Sequence, residues 1–202
     1  MEWSILHTLN DFLLHHDAVE DPLVFYVNVS ELLFAATLAV LFVAARGLRG
    51  RDWRRAAVAA FFSAGVALAI GGVIARVVDR PRPFVHHPGS LHLFVSHGAA
   101  PGFPSDHATA AFAIAMAIVL RKRGWGLFAL LAAALLSVGR VAVGVHYPSD
   151  VVAGAVLGCA VALVLWAPPL RRRLDALSDY LGARLDRVTS WGAGKLPRLS
   201  AR

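Results

Sequence analysis

The sequence predicts an all-α membrane protein: a polytopic helix bundle with about five transmembrane spans, an N-terminal interfacial helix and a C-terminal amphipathic tail. Of the 202 residues, 57% are hydrophobic and only 16% are charged, and the mean hydropathy is +0.61. Such a chain is too apolar for an ordinary soluble domain. Its apolar residues form long segments of about the length that a spanning helix needs, roughly 20 residues, and short basic clusters separate these segments.

The elements follow in order along the chain. Residues Trp3 to His16 carry apolar side chains at helical spacing with polar side chains between them, which predicts a short interfacial helix. Five apolar segments follow, and we predict a span in each: residues 23–45, 56–78, 103–120, 125–145 and 151–166. Residues 1–166 are therefore assigned to one membrane domain, with the chemical motifs within 76–150, and residues 167–202 to a basic amphipathic cytoplasmic tail.

The tail places leucines and a valine three or four residues apart among Arg and Asp residues, from Leu174 to Val188. This pattern predicts an amphipathic helix. Two interpretations stay open, a helix that lies on the cytoplasmic leaflet and an ordinary solvated tail.

The basic residues predict the orientation in the membrane. They form three clusters, one between the first two spans, one between the third and fourth, and one after the fifth: Arg46, Arg49, Arg51, Arg54 and Arg55; Arg121, Lys122 and Arg123; Arg171, Arg172 and Arg173. All three fall on one side of the predicted bundle, and positive loops favour the cytoplasm. The loop 79–102 and the turn around His146 are then extracytoplasmic. This distribution explains the net charge of +7 as a topology signal, so we expect no nucleic-acid partner.

Two further features bear on processing and redox state. The first 45 residues contain no Lys or Arg, so we expect no cleavable signal peptide and a retained N-terminus. Cys159 is the single cysteine, so an internal disulfide is impossible, and its position in an apolar segment indicates packing.

Three polar segments lie at the extracytoplasmic ends of the spans: 79–83, 102–107 and 139–150. Ionisable residues at membrane depth are costly and by default point to function, whereas the same residues at the end of a span can also be interface anchors. Pro148 suits a first helical turn, and Asp150 is favoured there by the helix dipole. Asp150 is one turn from His146, so its carboxylate is placed to orient the imidazole and leave one nitrogen free to attack.

The second segment, Pro104-Ser105-Asp106-His107, has the pattern of a helix cap. Two helix N-termini would then point at the same surface, and such ends bind phosphate. Arg82 and Arg140 are placed to add bidentate contacts to phosphate oxygens. Ser105 fits both a cap and a phosphate contact, and Arg80 could share or take the role of Arg82.

These residues carry a family resemblance. The order Arg82-Pro83, then Pro104-Ser105-Asp106-His107, then Arg140-x5-His146-x3-Asp150 resembles the three-part signature of the type 2 phosphatidic acid phosphatase superfamily, which includes vanadium haloperoxidases. The strings Arg-Pro-Arg-Pro-Phe at 80–84 and Phe-Pro-Ser-Asp-His-Ala at 103–108 most resemble bacterial undecaprenyl-diphosphate phosphatases of the bacitracin-resistance type. The resemblance covers roughly residues 56–166.

The sequence departs from the family pattern at three positions. The family Lys that precedes Arg-Pro by seven residues is Ala75 here, and the neighbouring Arg76 either replaces it as a phosphate ligand or extends from the end of its span. Gly139 stands where the family usually has Ser, and we expect its backbone N–H to bind phosphate in place of the hydroxyl. Asp106 replaces the commoner Gly of the second motif.

The resemblance implies roles for these residues. His146 would attack the terminal phosphorus, Asp150 would orient it, and His107 would protonate the leaving lipid phosphate. Arg82, Arg140, Ser105, Arg76 and Gly139 would bind the phosphate. The implied reaction is hydrolysis of undecaprenyl or another polyprenyl diphosphate through a phosphohistidine, without metal or cofactor, in the inner membrane of a bacterium.

Alternatives use the same residues. A phosphatidate or phosphatidylglycerophosphate phosphatase would need the same site, and a transporter or lipid-binding scaffold would need the anion site alone; a haloperoxidase fits the apolar spans less well. The loop histidines His86, His87, His92 and His97 lack metal-ligand spacing, so we interpret them as solvated residues. Glu31 receives no role.

Overall fold

The computed structural model describes residues 1–45 and 47–193. This part of the chain forms eight helices and no strand, which confirms the predicted all-α class. The helices are α1 (Glu2–Leu14), α2 (Asp17–Val43), α3 (Gly47–Val78), α4 (Pro83–His86), α5 (Asp106–Val119), α6 (Arg123–Ala142), α7 (Pro148–Leu165) and α8 (Pro168–Ala193). Arg46 of the first basic cluster and residues 194–202 of the predicted tail lie outside the described residues.

Four helices in the described ranges are long and apolar enough to cross a membrane: α2, α3, α6 and α7. The predicted third span, 103–120, is shorter in the structure, because α5 has only 14 residues. Pro104 and Ser105 hold an extended backbone, and Ser105 is the N-cap of α5. Since α5 packs against α3, α6 and α7, protein surrounds it on several sides, and it does not need the full length of a lipid-facing span.

Successive helices alternate in direction, which gives the bundle two chemically different ends. The histidine end comprises α1, residues 79–105 and the turn 143–147. The arginine end comprises residues 50–55, 120–123 and 166–190. The site predicted from the sequence lies at the histidine end.

Close contact between α5 and α7 sets the geometry of the histidine end. A Cβ added at Gly154 would lie 2.7 Å from the carbonyl oxygen of Ser105, and one added at Gly158 would lie 2.3 Å from that of Thr109. Only glycine permits this approach, as small residues do at other helix interfaces in membranes. The contact also brings the Ser105 N–H to the Asp150 carbonyl oxygen at 3.0 Å, so the starts of α5 and α7 form one unit.

The tail forms the helix α8 that its pattern predicts, and ion pairs hold it against α3. Arg55 contacts Asp179 at 2.7 Å, and Arg54 contacts Asp186 at 2.7 Å. Hydrogen bonds from Arg55, and next those from Arg51, lower the pKa of Asp179 to about 2. The tail helix is therefore packed on the bundle, an arrangement that neither interpretation of the sequence included.

Candidate active site

The three polar segments predicted from the sequence meet at the histidine end. Arg82 precedes α4, Ser105 caps α5, Arg140 lies in the last turn of α6, and His146 and Asp150 flank the start of α7. Arg82 and Arg140 are 5% and 4% exposed, and His146 and Asp150 are almost wholly buried. Four ionisable groups are thus held together away from bulk solvent, which is costly unless a function requires it.

The partners of His146 fix its protonation state. Nδ1 lies 3.0 Å from the Gly102 carbonyl oxygen, and Nε2 lies 3.0 Å from Nη1 of Arg82. A carbonyl oxygen only accepts a hydrogen bond and a guanidinium only donates, so Nδ1 carries the proton and Nε2 holds a lone pair. The nitrogen with the free lone pair, Nε2, is therefore directed at an arginine.

Electrostatics favour the same neutral imidazole. Burial, followed by the charges of Arg82 and Arg140, lowers the pKa of His146 well below its usual value. The ring is therefore uncharged at neutral pH, as a nitrogen nucleophile must be.

Asp150 is tied more closely to other groups than to His146. Its Oδ2 accepts the Tyr147 N–H at 2.8 Å in a capping box, and its Oδ1 accepts from Nη1 of Arg80 at 2.9 Å. The distance from Oδ2 to Nδ1 of His146 is 3.6 Å, within ion-pair range but longer than a hydrogen bond. The Gly102 carbonyl, which the sequence did not point to, takes the hydrogen bond that we expected Asp150 to take.

Arg140 has unused donors. Its Nε and Nη2 are buried and have no hydrogen-bond partner among the described residues. Buried polar groups nearly always have partners, and a buried charge without one is more costly still. Arg82 is better satisfied, since its Nε donates to the Ala100 carbonyl oxygen at 2.9 Å. An anion between these two arginines would complete both sets of donors.

His107 stands at the edge of this cluster. It lies in the first turn of α5, with 17% of its side chain exposed, and its Nε2 is 2.9 Å from Oε1 of Glu31 on α2. The sequence indicated no role for Glu31, and its position in a largely apolar span was the only signal that could have drawn attention to it.

The remaining predicted residues differ in where they lie. Ser105 caps α5 with a long hydrogen bond of 3.5 Å from the Ala108 N–H. Gly139 is inside α6, where its N–H belongs to the helix ladder, and an added Cβ would lie 2.8 Å from Val27 of α2. Gly139 therefore allows close helix packing and is not placed to bind phosphate. The Arg76 side chain is exposed in the last turn of α3 and forms no hydrogen bond or ion pair with any described residue, so its role as a phosphate ligand stays a prediction.

Two residues belong to the site region beyond those predicted. His97, interpreted above as solvated, is half-buried, and its ring centroid is 6.3 Å from that of His146. Burial lowers its pKa, and the charges of Arg82 and Arg140 contribute. Arg80 does not share the role of Arg82. It binds Asp150, Ser149 and Glu2 of α1, so it supports the carboxylate instead.

A long cleft opens beside His107. It has a volume of about 1110 Å³ and is lined by apolar side chains of α2, α3 and α5, with Glu31, Asp106 and His107 near one end and Leu177 and Leu181 of α8 near the other. Its lining on α3 runs from Ala57 to Gly72, about 22 Å at 1.5 Å per residue. The cleft therefore follows much of the hydrocarbon thickness of a bilayer, ~30 Å.

No metal cluster accompanies these groups: in residues 1–45 and 47–193, no three His, Cys, Asp or Glu side chains are arranged to hold a metal ion.

This fold and site define a class of protein. Residues 56–173 match the PAP2 superfamily, and the chain belongs to that phosphatase superfamily as a multi-pass membrane protein.

Three relatives show the range of the superfamily. Undecaprenyl-diphosphatase BcrC of Bacillus subtilis (strain 168) is 32% identical over 194 residues, 94% of this chain and 96% of the relative. Decaprenylphosphoryl-5-phosphoribose phosphatase of Mycobacterium tuberculosis (strain ATCC 25618 / H37Rv) is 37% identical over 63% of this chain and 67% of the relative. The crystal structure of Aquifex aeolicus LpxE aligns with a TM-score of 0.53 over 80% of this chain and 92% of that one, at 18% identity, which shows a shared fold.

Proposed function

We propose that this protein is a membrane lipid diphosphate phosphatase. It hydrolyses undecaprenyl or another polyprenyl diphosphate to the monophosphate and inorganic phosphate through a phosphohistidine at His146. The observation that carries the proposal is the buried, neutral His146, whose unprotonated nitrogen faces Arg82 beside the unpaired donors of Arg140.

The reaction follows from these positions. The terminal phosphate takes up the donors of Arg140 and draws Arg82 away from Nε2, which frees the lone pair to attack phosphorus. The bond from phosphorus to the bridging oxygen breaks, and His107 gives its proton to the departing lipid monophosphate. The Nδ1 proton of His146 stays on the ring and is donated to the Gly102 carbonyl oxygen, and the nearby Asp150 carboxylate offsets the positive charge of the phosphorylated ring. Fixed cations at the phosphoryl oxygens are the main source of catalysis in phosphoryl transfer.

The second step restores the enzyme. Water attacks the phosphorus of the phosphohistidine, and neutral His107 accepts a proton from this water. The bond from nitrogen to phosphorus breaks, inorganic phosphate leaves, and His146 regains its lone pair. His107 is then protonated again and ready for the next lipid.

The apolar cleft supports a lipid as the substrate. A hydrocarbon chain lying along α3 would bury its surface there at about 25 cal/mol per Å², while its phosphate reached the cluster past His107. Similarity to undecaprenyl-diphosphatase BcrC along 94% of the chain supports a polyprenyl diphosphate. Similarity to decaprenylphosphoryl-5-phosphoribose phosphatase favours, as a second candidate, a lipid monophosphate hydrolysed by the same residues.

The basic clusters support an extracytoplasmic site in the inner membrane of a bacterium. Arg54, Arg55 and Arg121 lie at the arginine end, opposite His146, and positive ends favour the cytoplasm. A membrane-impermeant thiol reagent on intact cells should label Ser96→Cys and spare Arg172→Cys, each made in a Cys159→Ala background. Labelling of Arg172→Cys alone would reverse the orientation.

A substrate panel on purified protein in detergent tests the function. We expect phosphate release from a polyprenyl diphosphate to exceed release from phosphatidate and phosphatidylglycerophosphate. His146→Ala should abolish the release, and a chelator should leave the parent protein active. Full activity in His146→Ala that retains the parent's thermal stability would overturn the mechanism, and faster release from the monophosphates would favour the second candidate.

A further inference from the structure

Glu31 is a carboxylate in an unfavourable position. It lies near the middle of α2, a helix of 27 residues that is otherwise largely apolar there and is long enough to cross a membrane. An acidic side chain at such a depth is costly and normally has a partner that explains it. The partner of Glu31 is His107, whose Nε2 is 2.9 Å from Oε1.

The contact leaves one imidazole nitrogen of His107 for chemistry. With Nε2 held against Glu31, Nδ1 is the nitrogen available to a leaving oxygen. A proton donor must both present the correct nitrogen and carry a proton when the substrate arrives. A carboxylate at one nitrogen meets both requirements, because it fixes the ring and favours the imidazolium form.

The surrounding charges oppose the protonated form of His107. The positive groups that face His107 are Arg140 of α6, Arg82 before α4, and the imidazoles of His146 and His97 when protonated. Each opposes a further positive charge on His107. Asp106 beside it and Glu31 across from it are the negative groups facing the same cluster, and Glu31 is the one in contact with the ring.

We propose that Glu31 is a positioning residue that keeps His107 oriented and protonated for its role as proton donor. This inference rests on the proposed function, since it assigns a second residue to the same site. In the first step the Nδ1 proton of the His107 imidazolium passes to the bridging oxygen, and His107 becomes neutral with its Nε2 proton facing Glu31. In the second step Nδ1 takes a proton from the attacking water. Glu31 itself gains and loses no proton.

Glu31→Gln tests the proposal because it keeps the size of the side chain and removes its charge. Hydrolysis of farnesyl diphosphate by purified full-length protein in detergent is measured between about pH 5 and pH 9. We expect the alkaline limb of kcat to move to lower pH by about one pH unit, since an opposite charge in contact shifts a pKa by about 1–3 units. At pH 8 kcat should fall about tenfold, and KM should change little.

Two further variants make the result decisive. Glu31→Asp keeps the charge and retracts it by one methylene, so its alkaline limb should lie between those of the parent and Glu31→Gln. Glu20→Gln, on the same helix and with a side chain that forms no hydrogen bond or ion pair with any described residue, should match the parent. If Glu31→Gln does not fold, Glu31→Asp carries the test alone.

The outcomes separate this inference from the proposed function. If the parent protein does not hydrolyse lipid phosphates, the proposed function fails. Suppose instead that the parent is active, and that the Glu31 variants fold and keep its pH profile but lose thermal stability or the same fraction of kcat at every pH. Glu31 is then structural, and this inference alone is overturned. A shifted alkaline limb supports the positioning role, because a structural contact would not move it.

Discussion

Arg140 provides a prediction in which activity and stability change in opposite directions. Arg140→Met keeps most of the apolar volume of the side chain and removes the buried guanidinium. Its Nε and Nη2 have no partner among the described residues, and each hydrogen bond from a charged group to a phosphate oxygen contributes about 1.5–3 kcal/mol. Losing both would cost about 3–6 kcal/mol, or roughly 10²- to 10⁴-fold in kcat/KM.

The same substitution should stabilise the substrate-free protein. A buried polar group without a partner costs about 1–3 kcal/mol or more, and that cost disappears with the guanidinium. For a chain of this length, about 2–4 °C of Tm corresponds to each kcal/mol, so Tm should rise by several degrees. Inorganic phosphate should raise the Tm of the parent but not that of Arg140→Met.

Arg121→Met is the matched control. The Arg121 side chain is also buried and its Nε also lacks a partner among the described residues, but its Nη2 forms an ion pair with Asp175 and its guanidinium lies over the ring of Trp166. Removing it strands the partner carboxylate, so Tm should fall, while catalysis by the remaining folded protein persists. Thermal unfolding in detergent and phosphate release from farnesyl diphosphate measure both effects. A lower Tm for Arg140→Met with kcat/KM within threefold of the parent would refute the reasoning.

Three other predictions test separate parts of the account. Gly158→Val should lower the free energy of unfolding by about 3 kcal/mol or more through overpacking, because its Cβ would lie 2.3 Å from a carbonyl oxygen of α5. Gly65→Ala has open space around its Cβ and should leave Tm nearly unchanged. Equal losses of stability in the two variants would contradict this prediction. Burial lowers the pKa of His146 and His97 in the folded protein, so below about pH 6.5 the unfolded chain binds more protons than the folded one. The free energy of unfolding should therefore fall as pH decreases through that value. Chemical denaturation between pH 5 and 8 measures this free energy, and a flat profile would contradict the prediction. Arg80→Gln should lower kcat about tenfold or more with little change in KM, because it frees the carboxylate near His146, and an equal kcat would show that this support is not needed.

The sequence predicted most of the fold because long apolar segments leave few alternatives to spanning helices. The predicted spans agree with α2, α3, α6 and α7, and α5 differs since Pro104 and Ser105 delay its start. Packing of α8 could not be predicted, because its ion pairs with Arg54 and Arg55 join residues more than 100 positions apart.

The candidate site was predictable where its residues share one short motif. His146 and Asp150 lie one turn apart, so their proximity followed from spacing. The Gly102 carbonyl that binds His146 carries no side-chain signal, and Glu31 reaches His107 only through the packing of α2. Phosphate binding by Gly139 was predicted from its place in the motif that contains Arg140. In the structure the space for a side chain at this position is limited by Val27 on another helix.

The most direct test of the central claim is to trap the intermediate. Protein mixed with a polyprenyl diphosphate labelled in its terminal phosphate is quenched in alkali within milliseconds, digested and analysed by mass spectrometry. The account predicts an acid-labile phosphoryl group on the peptide that contains His146, absent in His146→Ala and longer-lived in His107→Gln. Turnover with the label on another residue, or undiminished turnover in His146→Ala, would contradict it.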